Sequence, residues 1–231
     1  MVKSVVDGVR FLPGSDSTLM IYFGERVSLA GHARVVRFLR LLEAEAVPGV
    51  RNVHPAYCSV LVKFDALRWT HAELQAILQE RLARLDAVEF AETRLVEIPV
   101  CYGGEFGADL ADVCAARGLS VARAIEWHSS AEYHVYFLGF VPGFAYLGEL
   151  PAALVTPRLA SPRRSVPAGS VGIAGNQTGV YPFATPGGWR LIGRTPMKMF
   201  RAEDGTCALA IGDRARFVAI SAERFAELER A

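Results

Sequence analysis

The chain has 231 residues, 52% of them hydrophobic, enough to bury one large core or two small ones and to exclude a mini-protein that needs staples. With 25 Lys and Arg against 24 Asp and Glu the net charge is +1, so no global field draws the molecule to nucleic acid or to an anionic membrane. Its apolar stretches are strand-sized, and the start MVKSVVDGVRFLPG lacks a basic n-region and a long apolar h-region, so the expectation is a cytoplasmic protein.

In chain order, a strand is expected at 18–23, then a helix whose apolar positions Val35, Phe38, Leu39, Leu42 and Ala46 recur at helical spacing and which Pro48-Gly49 stops. Two β-rich runs follow at 50–56 and 59–65. Thr70 and Glu73 have capping-box spacing and open a second helix with Leu74, Ile77, Leu78, Leu82 and Leu85 as its buried stripe. A strand at 88–98 completes the order β-α-β-β-α-β, that of a ferredoxin-like split βαβ unit. The fold class expected is α+β, with a ferredoxin-like α/β domain over residues 1–98 and a second domain over 99–231. Beyond Pro99 two short helices are expected at 109–117 and 120–128, with Gly118 as the stop and Ser120 as the next N-cap. Short β runs at 133–138, 170–174, 190–192 and 216–220, punctuated by Gly and Pro, suggest a barrel or sandwich. A surface helix is expected at 222–230.

The chemistry concentrates between Pro151 and Ala202. This 52-residue stretch holds Arg158, Arg163, Arg164, Arg190, Arg194, Lys198 and Arg201 and no acid, which leaves 18 basic and 24 acidic residues elsewhere. Such a segment suits capture of a carboxylate, a phosphate or an acidic partner surface, or else its arginines pair with acids from other parts of the chain. It also carries seven Gly and seven Pro, which either turn tight barrel corners or bring backbone amides up to a ligand. Asn176, Gln177 and Thr178 supply amide and hydroxyl groups of the kind a small amide or carboxylate substrate needs. Phe140, Phe144 and Tyr146 surround a Pro-Gly turn and read as a pocket wall, a partner-docking face or ordinary core. His128 and His134 are candidate acids or bases.

Other mechanisms lack their signatures. There is no G-x-x-x-x-G-K-[ST] loop, no H-E-x-x-H and no Cys/His cluster, so neither a Walker-A nucleotide site nor a metal motif is expected. Ala168-Gly-Ser-Val-Gly172 has Ala where a nucleophile elbow has Gly, which discounts Ser170. Cys58, Cys101, Cys114 and Cys207 have no C-x-x-C spacing and read as buried free thiols.

The motifs Pro99-Val-Cys-Tyr-Gly-Gly-Glu105, Leu138-Gly-Phe-Val-Pro-Gly-Phe144, Pro157-Arg158, Pro162-Arg163, Val166-Pro-Ala-Gly-Ser-Val171, Ala174-Gly-Asn-Gln-Thr-Gly-Val-Tyr-Pro182 and Pro186-Gly-Gly-Trp-Arg-Leu-Ile-Gly-Arg-Thr195 resemble a known family. That family is the B subunit of bacterial 5-oxoprolinase, also called allophanate hydrolase subunit 1, to which the sporulation kinase inhibitor KipI is similar. The resemblance covers nearly the whole chain. It implies a cyclophilin-like β-barrel for the second domain and a role with subunits C and A in opening 5-oxo-L-proline to L-glutamate with ATP. It equally admits a KipI-like inhibitor of a histidine kinase, or a carboxyltransferase-like subunit of a urea or allophanate pathway. The site expected from chemistry and motif density is His128 as catalytic acid or base, with Arg158, Arg163, Asn176, Gln177, Thr178, Tyr181 and Arg194 on the substrate. Arg158, Arg163 and Arg194 are expected to converge with Gln177 and Thr178 on one pocket. Phe140, Phe144 and Tyr146 are assigned to partner docking, and no metal is assigned.

Overall fold

The computed structural model describes residues 5–6, 8–87 and 93–230. The chain divides into two compact units, Met1–Glu92 and Thr93–Ala231. The division falls before the expected break at 98/99, because one strand runs through that point.

The first unit is a five-stranded sheet of order β1-β2-β3-β5-β4, antiparallel at every pair, with two helices. Its strands are β1 (Val5–Val6), β2 (Val9–Ser15), β3 (Thr18–Tyr22), β4 (Val50–Pro55) and β5 (Ser59–Phe64). Alternate residues Val9, Phe11, Leu19, Ile21, Val60, Val62 and Phe64 are buried, the period-2 pattern of a sheet with one covered face. Helix α1 (Leu29–Ala44) buries Val35, Phe38 and Leu42, and Ser28 caps its start by accepting from the Gly31 amide. Helix α2 (His71–Leu82) begins with the expected capping box, in which Thr70 and Glu73 satisfy each other's backbone amides.

Among the described residues this unit does not show the complete ferredoxin-like order. The order β-α-β-β-α-β needs a strand after α2 to return into the sheet. Residues 88–92 of that expected strand lie outside the described residues, and 95–98 open β6 (Leu95–Tyr102), which pairs in the other unit. The sheet also carries β2, which the sequence reading does not place and which contains Pro13 and Gly14. A register shift between Pro13 and Ser15 accommodates them within the strand.

The second unit is a closed barrel of seven strands among the described residues, in the order β10-β11-β8-β7-β14-β6-β13. Besides β6 these are β7 (Glu132–Leu138), β8 (Ala145–Gly148), β10 (Ser170–Ala174), β11 (Gln177–Val180), β13 (Arg190–Arg194) and β14 (Arg214–Ala219). All pairs are antiparallel except β14 with β6, which run parallel over six residue pairs from Arg214↔Leu95 to Ala219↔Val100. That pairing fixes β6 in the barrel, where Ile98 and Val100 are fully buried beside Tyr133, Val135, Ile173 and Phe217. Helices α3 (Leu110–Arg117) and α4 (Val121–Ser130) contribute Leu110, Val113, Cys114 and Ala124 to the same core. Gly118 ends α3 at φ +64°, a conformation that L side chains rarely adopt. Ser120 caps α4, and the chain ends in α5 (Ala222–Arg230). A separate ribbon of β9 (Arg163–Val166) and β12 (Thr185–Gly187) carries Arg163 and Arg164 of the basic segment.

The four cysteines are free, with Cys101 and Cys114 buried and Cys58 and Cys207 half-buried. Among the described residues no helix is long and apolar enough to cross a membrane, and no group of three or more His, Cys, Asp or Glu side chains could hold a metal ion.

Candidate functional site

The β9–β12 ribbon closes over one flank of the barrel and makes a cavity of about 250 Å³. Its walls are aromatic. Tyr146 comes from β8, Tyr181 from the end of β11, Trp189 from the entry to β13, and Phe140 and Phe144 from the turn between β7 and β8. Phe144 is the hub: its ring centroid lies 5.1 Å from Tyr146, 5.3 Å from Tyr181, 5.3 Å from Trp189 and 5.6 Å from Phe140, all in edge-to-face geometry. Pro162, Pro186, Gly187 and Gly188 close the remaining side. A Cβ on Gly187 would collide with the Tyr181 hydroxyl, so only glycine lets the loop lie on that ring.

One formal charge faces this cavity, the exposed Arg158. Its guanidinium makes no ion pair or side-chain hydrogen bond among the described residues. The adjacent Leu159 amide donates to Gly188 O at 2.8 Å, which fixes the chain beside the glycine loop. The hydroxyls of Tyr146 and Tyr181 are held in their neutral form, because burial raises both pKa values more than they are lowered, at Tyr181 by the backbone hydrogen bond of Trp189 and the Arg158 charge, and at Tyr146 by Arg158. The cavity therefore offers one cation, two hydroxyl donors and a large apolar surface. Among the described residues, its lining includes no carboxylate, imidazole or thiol.

At the rim, Phe140 has φ +70°, and the Val141 amide donates to Gly139 O at 2.9 Å across it. A three-residue turn with a positive central φ is the strained form of the γ-turn, and the residue held there is 58% exposed.

The expected convergence of Arg158, Arg163 and Arg194 with Gln177 and Thr178 is not found. Arg163 turns away from the cavity to Asp109, with its Nη2 donating to Oδ1 at 2.7 Å, and its Nη1 reaches Trp189 O at 3.4 Å. Asp109 Oδ2 accepts from the Leu191 amide at 2.6 Å while its own amide donates to Leu191 O at 2.8 Å. This buttress holds the start of β13, and with it Trp189, against the barrel. Arg194 donates from Nε to Ala168 O at 2.9 Å and lies over the Phe225 ring of α5. Both arginines are consumed by the architecture, because a fork-shaped donor is what two stranded backbone carbonyls and a buried carboxylate require.

The triplet 176–178 is split by the strand itself. Asn176 sits exposed in the two-residue turn between β10 and β11, Gln177 is half-buried on the barrel edge, and Thr178 points into the core. There Thr178 meets His128. His128 is 1% exposed, stacked 4.4 Å from the Phe217 ring, with Nδ1 2.7 Å from the Tyr102 hydroxyl and Nε2 2.9 Å from Thr178 Oγ1. Burial pushes its pKa down to about 3. The histidine expected as acid or base is a neutral, fully bonded member of the barrel core, out of reach of the aromatic cavity. His134 is half-buried on β7 and its pKa is likewise lowered by burial. Ser170 is buried at the start of β10.

The aromatics assigned to docking all line this pocket. Phe144 is buried and Tyr146 half-buried, and of the three only Phe140 presents its ring to solvent. Two contributors escape the sequence reading. Trp189 stands inside the Pro-Gly-Gly-Trp motif, where an aromatic in a rigid glycine loop of the basic segment is the available signal. Asp109, the first residue of the helix expected at 109–117, stands at the N-cap of α3 but makes no side-chain cap bond and serves β13 instead.

The family model for the carboxyltransferase domain, subdomain C and D, matches residues 9–210. The chain is 43% identical over 217 residues to the 5-oxoprolinase B subunit of Bacillus subtilis, covering 89% of this chain and 90% of that one. It is 50% identical over 202 residues to the 5-oxoprolinase B subunit of Escherichia coli O157:H7, covering 83% and 87%. Among solved structures, TTHA0988 superposes with a TM-score of 0.77 at 35% identity, covering 88% of this chain, which spans 40% of that longer one. The urea amidolyase of K. lactis superposes with a TM-score of 0.77 at 17% identity, covering 98% of this chain and 16% of that one, a likeness of fold. By sequence and by fold, this chain belongs to the 5-oxoprolinase B-subunit family of carboxyltransferase-domain proteins.

Proposed function

We propose that this chain is the B subunit of a cytoplasmic ATP-dependent 5-oxoprolinase, which opens 5-oxo-L-proline to L-glutamate together with subunits A and C and is inactive alone. The observation that carries the second half of this reading is the composition of the pocket. Opening an unstrained lactam needs an activated carbonyl oxygen and a water whose proton is taken up by a base. The pocket offers a cation and hydroxyl donors that can hold an anion or polarise an oxygen, and no group that can accept the proton of the attacking water. Its residues do not fit a nucleoside triphosphate either. About 250 Å³ lies under the ~300–1,000 Å³ of ordinary ligand clefts, and one guanidinium is too little for three phosphates. We therefore place the proton acceptor on the partner subunits, with the cyclophilin-like barrel of this chain as a binding half-site. Mixing purified subunits A, B and C and following ATP-dependent glutamate formation tests this. Turnover is expected only with all three present. Robust activity of this chain alone, or full activity without it, refutes the proposal.

A further inference from the structure

We infer that the aromatic pocket of the barrel unit seats a small cyclic monocarboxylate, and that Arg158 is the residue that selects it by binding the carboxylate. The identity of the ligand as 5-oxo-L-proline rests on the function proposed above, whereas its charge and size rest on the pocket. A lone guanidinium over an apolar wall favours an anion, because its hydrogen bonds to a carboxylate are charge-assisted and planar. Arg163 and Arg194 are committed to protein oxygens, so Arg158 is the cation left for a ligand here. One positive charge balances one carboxylate and leaves a phosphate or a dicarboxylate with a surplus.

The shape narrows the class further. Edges and faces of Tyr146, Phe144 and Trp189 line the cavity, which suits a compact ring more than an extended chain. The neutral hydroxyls of Tyr146 and Tyr181 are donors for a ring carbonyl or for the second carboxylate oxygen. Phe140, held exposed at the rim in its strained turn, stands where it covers a bound ring.

The test uses the reconstituted complex with wild type, Arg158→Ala and Arg158→Lys, and two substrates, 5-oxo-L-proline and its uncharged amide. For Arg158→Ala, KM for 5-oxo-L-proline is expected to rise about tenfold or more with kcat within about threefold. Its preference for the charged substrate over the amide collapses, Arg158→Lys recovers part of it, and the three proteins co-purify as before. An unchanged KM overturns the inference, and so does loss of co-purification, which would assign the pocket to a partner. A separate titration of the isolated full-length chain with cyclopentanecarboxylate keeps this inference apart from the function proposed above. Saturable binding that Arg158→Ala abolishes supports the pocket even if the complex does not turn over 5-oxo-L-proline. Equal binding by the two proteins, or none by wild type up to about 10 mM, overturns it.

Discussion

Thr178 Oγ1 lies 2.9 Å from His128 Nε2 and donates its own proton to Gly172 O at 3.1 Å, so the imidazole is the donor in the pair. The other ring nitrogen, Nδ1, then accepts from the Tyr102 hydroxyl, whose pKa burial raises well above its usual value. The chain Tyr102 to His128 to Thr178 to Gly172 ties β6, α4, β11 and β10 together through one neutral ring. A proton on Nδ1 would break it.

That arrangement makes the barrel acid-sensitive. Between pH 6.5 and about 3 the unfolded chain carries a proton on His128 that the folded chain does not. The stability contributed by the neutral ring is present in full above 6.5 and is lost as pH falls, by up to about 1.4 kcal/mol per pH unit. Urea unfolding at pH 7, 6 and 5 of wild type and His128→Gln checks this. Wild type is expected to lose stability with the steeper slope, and equal slopes would refute the assignment.

Asp109 carries a second structural load. It is buried while Arg163 is 30% exposed, and it also accepts from the Leu191 amide, so removing it strands one buried donor and one partly screened cation. Asp109→Ala is expected to cost about 2–4 kcal/mol, and Arg163→Ala about 1, because the aspartate keeps its backbone partner. Asp109→Asn, which keeps an acceptor for Leu191, should fall between them. Denaturant titration of the three variants measures the order.

What the sequence reveals and what it conceals divide along physical lines. The capping box of Thr70 and Glu73, the Gly118 stop and the runs 170–174 and 222–230 are legible because each depends on local spacing. The membership of β6 is not, since a strand's alternation says which residues are buried and nothing about which sheet receives it. The same limit governs the site. Charge density points to the segment holding Arg158, Arg163 and Arg194, yet which arginine stays free is decided by Asp109 and by the Ala168 carbonyl, both set by tertiary contact. Thr178 and Gln177 are neighbours in the chain and face opposite ways on a strand, so adjacency in sequence does not place them together.

Gly187 probes the tightness of the pocket without touching its charge. An alanine there must displace the Tyr181 ring, which packs against Phe144 and Trp189, or the β12 strand, which pairs with β9. Gly187→Ala is expected to lower stability by about 1–3 kcal/mol. Tyr181→Phe removes the hydroxyl nearest the added Cβ but keeps the ring carbons at 2.7 and 2.8 Å, so the double variant should recover only part of that loss. Thermal melts of the two single variants and the double variant read the coupling, which is near zero if the two residues do not oppose each other.

Phe140 separates strain from burial. Its ring is more than half exposed, so truncation removes little buried surface, while its φ of +70° costs an L residue about 1–2 kcal/mol that glycine does not incur. Phe140→Ala keeps the strain and loses the ring. Phe140→Gly loses both. The glycine variant is therefore expected to be more stable than the alanine variant by about 1 kcal/mol, the reverse of the order at an unstrained position. If the turn exists to hold a ring over the pocket, both variants raise KM in the reconstituted complex to a similar degree, since neither presents an aromatic at the rim. Melting temperatures and KM values of the two variants decide the matter together. An alanine variant at least as stable as the glycine one would mean that the turn carries no strain. A wild-type KM in both would mean that the strained ring does not serve the pocket.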